Sequence, residues 1–194
     1  MLRFLTRQND TPELRGPDHY LRLPRHSDYK QWREVRSESR RFLQPWEPLW
    51  HADELTYSAF RLRVTRNSQE CASGIAVPLL IFDYEDRLLG GITIGNIRRG
   101  AAQCCMIGYW MGEKYAGNGH MSAALKLVIP YIFKGLQLHR IEAACIPDNS
   151  KSIRLLENAG FQREGLLRDY LKINGSWRDH ALYALVDTSD KPGR

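Results

Sequence analysis

The chain has 194 residues, 43% of them hydrophobic, and a formal net charge of +6. That length suits one domain with its own core, and no apolar run approaches the length of a membrane span. The basic surplus leans toward the N-terminal third but forms no run interleaved with aromatics, which excludes a nucleic-acid-reading signature and suits a solvated surface or a polyphosphate ligand.

The N-terminal stretch MLRFLTRQND has no long apolar segment and no small-residue cleavage site, so a cytoplasmic protein is expected. A short strand is expected over Tyr20–Leu23, ended by Pro24. Ser27 caps a predicted helix running to about Phe42, with Tyr29, Trp32, Val35 and Phe42 on its apolar stripe. Two prolines and two tryptophans between Gln44 and Trp50 rule out a helix interior there. Asp53 opens a second predicted helix to about Asn67. Strands follow over 75–84, 88–97 and 104–111, separated by the turns Glu85-Asp86-Arg87 and Arg98-Arg99-Gly100, and form an antiparallel meander.

A helix is predicted from His120 to about Gly135, with Pro130 inside it as a kink. A strand over 140–146 must lie parallel to the 104–111 strand, because a helix connects them. Asn149 caps a helix over 150–159, closed by Gly160. Strands over 164–173 and 176–186 flank Asn174-Gly175, a strong hairpin turn. Cys71, Cys104, Cys105 and Cys145 lack paired spacing and read as buried free thiols. No metal-ligand spacing occurs, so no metal is expected.

The segment IGYWMGEKYAGNGHMSAALK, residues 107–126, carries the chemistry. A strand, a turn with glycines at 112, 117 and 119, and a helix start make an anion site from main chain. Glycines admit a phosphate closely, and the free N–H groups of the first helical turn point at it. Gly117, Asn118, Gly119, His120 and Met121 are therefore expected to hold a phosphate-bearing cofactor. A nucleoside triphosphate loop is unsupported, since no Gly-Lys-Ser/Thr follows. A dinucleotide reading finds Ser122 and Glu142 at suitable spacings, but only one βαβ unit to house them. An ordinary strand-to-helix turn is the bland alternative.

Ala116-Gly117-Asn118-Gly119-His120-Met121 resembles the cofactor loop of the GNAT acyltransferases. Ala116 stands where that family has Gln or Arg, and Met121 where it has Gly or Ala. The element order agrees with the resemblance over about residues 20–186 of a single 1–194 domain. It implies an α/β GNAT fold: a mixed, mostly antiparallel seven-stranded sheet, splayed at its central parallel pair and flanked by about four helices. Within the superfamily the chain is similar to the RimJ-type ribosomal-protein-alanine N-acetyltransferases. The residues carrying this are Phe42-Leu43-Gln44-Pro45-Trp46-Glu47-Pro48, Gly108-Tyr109-Trp110, Asn149-Ser150-Lys151-Ser152 and Trp177-Arg178-Asp179-His180, with His139-Arg140-Ile141 and Arg168-Asp169-Tyr170-Leu171.

The resemblance implies acetyl-CoA as cofactor and the N-terminal alanine amine of a small-subunit ribosomal protein, free or on the ribosome, as acceptor. Neither membrane nor direct nucleic-acid readout is implied, and monomer and dimer stay equally open. It implies Trp110, Met111 and Gly112 as main-chain donors to the thioester oxygen at the splay, with Ala116 joining the phosphate loop. Asn149 is the implied pantetheine contact. Leu156 occupies the position where many members carry an acidic Tyr, so Ser152 is the implied partner of the departing thiolate. Glu47 and Asp169, the latter mid-strand and facing with Leu167 and Leu171, are the candidate bases, working through water on an amine beside Trp46. His120, His180 and Glu164 are read as structural side chains. The competing functions are acetylation of a small amine or another peptide N-terminus, and a non-catalytic ribosome-assembly factor that keeps the fold. An intact Gly117-x-Gly119 favours the enzyme.

Overall fold

A computed structural model describes residues 12–189. Eight strands form one sheet in the order β1-β2-β3-β4-β5-β6-β8-β7. They are β1 (Glu13–Arg15), β2 (His19–Arg22), β3 (Val77–Asp83), β4 (Leu88–Arg98), β5 (Cys104–Met111), β6 (Arg140–Cys145), β7 (Gln162–Ile173) and β8 (Ser176–Val186). The helices are α1 (Tyr29–Glu38), α2 (Arg40–Leu43), α3 (Tyr57–Ala72), α4 (His120–Pro130) and α5 (Ser150–Asn158). This is the expected GNAT fold with one more strand than the seven expected. The extra strand β1 spans three residues and pairs with β2 through Leu14↔Leu21, too short a run to show alternation.

The predicted first helix is two helices. Ser39 breaks it, and its buried hydroxyl accepts the Glu113 N–H at 2.8 Å, fastening the α1–α2 corner to the turn after β5. The next helix begins at Tyr57 instead of Asp53, because the Thr56 hydroxyl, and not Asp53, takes the N–H of Ala59. Pro130 ends α4, since it has no N–H to bond the preceding turn. The chain continues as a π-helical turn over Tyr131–Gly135, with Leu136 N–H donating to Tyr131 O at 2.9 Å.

The sheet is buried on both faces at β3, whereas β7 is largely exposed. In β3, Val77, Leu79 and Ile81 join the core under α4 and α5, while Leu80 and Phe82 join Trp32, Phe60 and Val64 of α1 and α3 on the opposite face. Strand alternation is what divides them. Met121, Ala124, Leu125 and Val128 make the buried face of α4 at helical spacing. Among the described residues, no helix is long and apolar enough to cross a membrane.

The site is positioned by β5 and β6. They pair in parallel from Cys104↔Arg140 to Ile107↔Ala143 and no further. On its other edge β5 stays paired with β4 as far as Gly90↔Met111. The strands therefore part beyond Ile107, as expected of the splayed pair. Ile141 sits opposite Cys105 at the closed end of the fork and is fully buried. Ile141→Ala is expected to cost about 2–5 kcal/mol of stability by leaving a cavity there, read as a lower urea midpoint.

Candidate active site

The fork between β5 and β6 opens into a cavity of about 800 Å³, lined from the Trp-Pro segment, the end of β5, the start of α4 and the start of α5. Gly119 is the N-cap of α4 at φ 81°, and no side chain caps the helix. Its first N–H groups have no partners within the helix. Gly117 also lies at positive φ, and a Cβ on either glycine would meet nothing within 4 Å. The glycines are thus required by backbone conformation, with open space left beside bare donors. That is a fit for a pyrophosphate.

The expected loop residues divide. Gly117, Gly119, His120 and Met121 line the cavity, whereas Asn118 and Gly112 do not. Ala116 lines it too, but its N–H is spent on Glu113 O at 3.1 Å. Gly112 donates to Leu89 O at 2.8 Å. Alternation along β5 then turns the Trp110 N–H toward β4 as well and the Met111 N–H toward the fork. Of the three expected oxyanion donors, the geometry leaves Met111; Trp110 contributes its indole to the wall. His120 Nδ1 is 2.7 Å from Nε2 of the buried His19, one ring donating to the other. Burial, followed by the charge of His120, lowers the His19 pKa.

At the opposite wall, Asn149 caps α5 and accepts the Ser152 N–H at 3.1 Å through its side-chain oxygen. Its amide nitrogen has no such duty. Ser152 Oγ lies 2.7 Å from the Tyr109 hydroxyl. Leu156 is fully buried in the core, so no acid stands at that position.

The wall formed by the Trp-Pro segment is built on Arg36. This buried side chain of α1 forks onto Glu47, with Nη1 at 2.6 Å and Nη2 at 2.7 Å from the two carboxylate oxygens. Its guanidinium lies over Trp50 at 4.4 Å and over Trp110 at 4.9 Å. Trp50 Nε1 donates to Glu47 at 2.8 Å. Three donors therefore hold the Glu47 carboxylate at the cavity wall beside Trp46. The hairpin tip is fastened here too: Asn174 N–H donates to Glu47 O at 2.9 Å, and Gln44 Nε2 to Asn174 Oδ1 at 3.1 Å.

Asp169 stands differently from the expectation. Instead of alternating with Leu167 and Leu171, it sits in a bulge where the register jumps from Leu167↔His180 to Leu171↔Arg178. It has φ 46°, donates its N–H to Asp179, is exposed, and does not line the cavity. His180 is buried with Nδ1 on Arg178 O, and Glu164 is ion-paired with Arg140, which lowers its pKa. Among the lining residues, Tyr109 and Lys151 stand in the sequence only as parts of the segments that carry the resemblance, without a site role, and Arg154 and Asn158 are not singled out there. The last three share one face of α5 with spacings of three and four, a signal that was present.

The family description "Acetyltransferase (GNAT) domain" matches residues 19–162, and the chain belongs to this family. It is an acetyl-CoA-dependent N-acetyltransferase. It is 36% identical to the "Probable N-acetyltransferase YjcK" of Bacillus subtilis (strain 168) over 179 residues, covering 92% of this chain and 99% of that one. It is 34% identical to the "[Ribosomal protein uS5]-alanine N-acetyltransferase" of Escherichia coli (strain K12) over 190 residues, 96% of this chain and 98% of that one. Among solved structures it is similar to Mycobacterium smegmatis RimJ in complex with CoA-disulfide, with TM-score 0.83, 33% identity, and coverage of 91% of this chain and 86% of that one. The ribosomal-protein-S5-alanine acetyltransferase of Vibrio fischeri gives TM-score 0.85 at 31% identity, over 93% of this chain and 100% of that one.

Two substitutions probe the two walls. Gly119→Glu places bulk, charge and an unfavourable φ at the helix start, and calorimetry should find CoA binding abolished. Glu47→Gln leaves the Arg36 charge buried without a counter-charge. The part exposure of Glu47 puts its cost at about 3 kcal/mol, seen as reduced stability in urea.

Proposed function

We propose that this protein acetylates a protein N-terminal α-amine, with the N-terminal alanine of a small-subunit ribosomal protein as its acceptor. The observation that carries the proposal is the single cavity that joins the bare start of α4, Ser152 and the Arg36-held Glu47. Relatives that share nearly the whole chain and bear the uS5-alanine name support the choice of acceptor. Such an acceptor places the reaction in the cytoplasm.

Acetyl-CoA supplies the activated acetyl group as a thioester. N–H groups at the start of α4 hold pyrophosphate, and the amide nitrogen of Asn149 serves the pantetheine arm. The Met111 N–H is the donor for the carbonyl oxygen as it gains charge. The Ser152 hydroxyl would donate a hydrogen bond to the thioester sulfur of the bound cofactor. Glu47, working through water, takes the proton that the amine sheds as the C–N bond forms. Asp169 has no part in this reading, since it lies outside the cavity.

A carboxylate is a weak base, and an α-amine needs no more. With a pKa near ~7.7–8.0 it is roughly 10–20% neutral at pH 7, against about 0.04% for a lysine amine. The difference of about 2.5 units is roughly 3 kcal/mol against lysine. A small first residue is the one expected to fit beside Trp46, which lines the cavity. A peptide series with free or blocked N-termini, with and without lysine, assayed for CoA release, tests this. Free alanine peptides should react fastest by at least about tenfold. Equal rates on N-blocked lysine peptides would move the protein to lysine or small-amine acetylation.

A further inference from the structure

We propose that Tyr109 is a positioning residue: it aims the Ser152 hydroxyl hydrogen into the cavity, toward the sulfur of the bound cofactor. This rests on the reading of Ser152 as the group that meets the departing sulfur. Tyr109 stands on the part of β5 beyond Ile107, its last residue paired with β6, and Ser152 stands in the first turn of α5. The two come from opposite sides of the fork, and both line the cavity. Their hydroxyl oxygens are 2.7 Å apart, a good O–H···O distance.

One hydroxyl must donate and the other accept. A phenol is the more acidic of the two and the better donor; an alkyl hydroxyl is the better acceptor. Burial raises the pKa of Tyr109 above the usual phenol range, more than the Ser152 hydrogen bond lowers it. The phenol therefore keeps its proton at any working pH. Ser152 Oγ is also its one hydrogen-bond partner among the described residues. Were Ser152 the donor, the Tyr109 hydrogen would face a half-buried wall with no protein acceptor, which is the costly arrangement. With Tyr109 donating, a Ser152 lone pair is filled from the β5 side. The Ser152 N–H is meanwhile committed to Asn149 Oδ1, which fixes the residue in the helix start. The hydroxyl hydrogen is then left for the cavity, where the buried Cys145 thiol, a weak acceptor, is its rival partner. Tyr109 thus spares Ser152 the cost of orienting itself when negative charge appears on sulfur.

The test uses Tyr109→Phe, which keeps the ring, together with Ser152→Ala and the double variant. Two readouts are taken. One is kcat and KM for acetyl-CoA with a free alanine peptide. The other is the pKa of the thiol of bound CoA, followed by ultraviolet thiolate absorbance as the difference between CoA-loaded and free enzyme; it involves no acceptor. Tyr109→Phe should lower kcat about tenfold, the loss that one hydrogen bond to a charged partner carries, while KM stays within about twofold. The thiol pKa of bound CoA should rise in both single variants. The double variant should be no worse than Ser152→Ala, since both act through one contact. If Ser152→Ala lowers kcat and raises the thiol pKa but Tyr109→Phe does neither, Tyr109 does not position Ser152 and the Ser152 reading stands. Additive losses in the double variant also overturn the proposal, because Tyr109 would then act by itself. If Ser152→Ala changes neither readout, the Ser152 reading fails and takes the Tyr109 proposal with it.

Discussion

Four residue pairs join β5 to β6, and then the strands separate. Everything functional in this molecule depends on that interruption. A parallel pair that continued would bury its main chain in a ladder and leave no donors for a ligand. Because β5 remains stitched to β4 up to Met111, its far edge is held rigid while its near edge is bare. The glycine turn and α4 follow directly, so the helix start arrives at the mouth of the same gap. β6 ends at Cys145 on the other side, and α5 starts five residues later. The cavity is therefore a consequence of two strands of one sheet diverging, and the helices at its rim are the connections those strands require.

The wall opposite the phosphate side has another logic. Arg36 is held between two indoles and gives both Nη groups to Glu47, while its Nε is buried without a partner. A buried ion pair of this kind is weak evidence for net stability, but it fixes geometry, because neither charge has anywhere else to go. The Trp-Pro segment has no regular structure beyond a short 3-10 turn at Gln44–Trp46. Arg36 and the hairpin tip at Asn174 give it the definition that secondary structure does not. A carboxylate, two tryptophans and a backbone bridge are thereby held at one place by a single guanidinium.

Much of this was legible in the residues. Periodicity marked the meander, the crossover helix and the final hairpin, because each is a local pattern read over about ten residues. The glycine turn was legible for the same reason: positive φ at Gly117 and Gly119 is written into glycine itself. What escaped depends on distance or on broken regularity. Tyr109 and Ser152 are 43 residues apart, and nothing in either segment announces the other. The bulge that removes Asp169 from the site puts a non-glycine residue at φ 46°, which alternation cannot foresee. The Gly112 N–H goes to Leu89 because a strand's hydrogen-bond phase is set by its neighbour and not by its own sequence. Ser39 breaking the first helix is similar, since its hydroxyl serves Glu113 far along the chain.

That same bulge has a meaning for the molecule among its neighbours. β7 is an outer strand of the described sheet and, at twelve residues, the longest. A long free edge offers a template to which any other extended chain can add. In β7 the template is interrupted. The register skips around Arg168, Asp169 and Tyr170, and the Asp169 N–H turns back to Asp179 instead of outward. Arg163, Glu164, Arg168 and Lys172 place charge along the same strand. A strand edge broken in this way is a poor template for edge-to-edge pairing with another copy of the sheet.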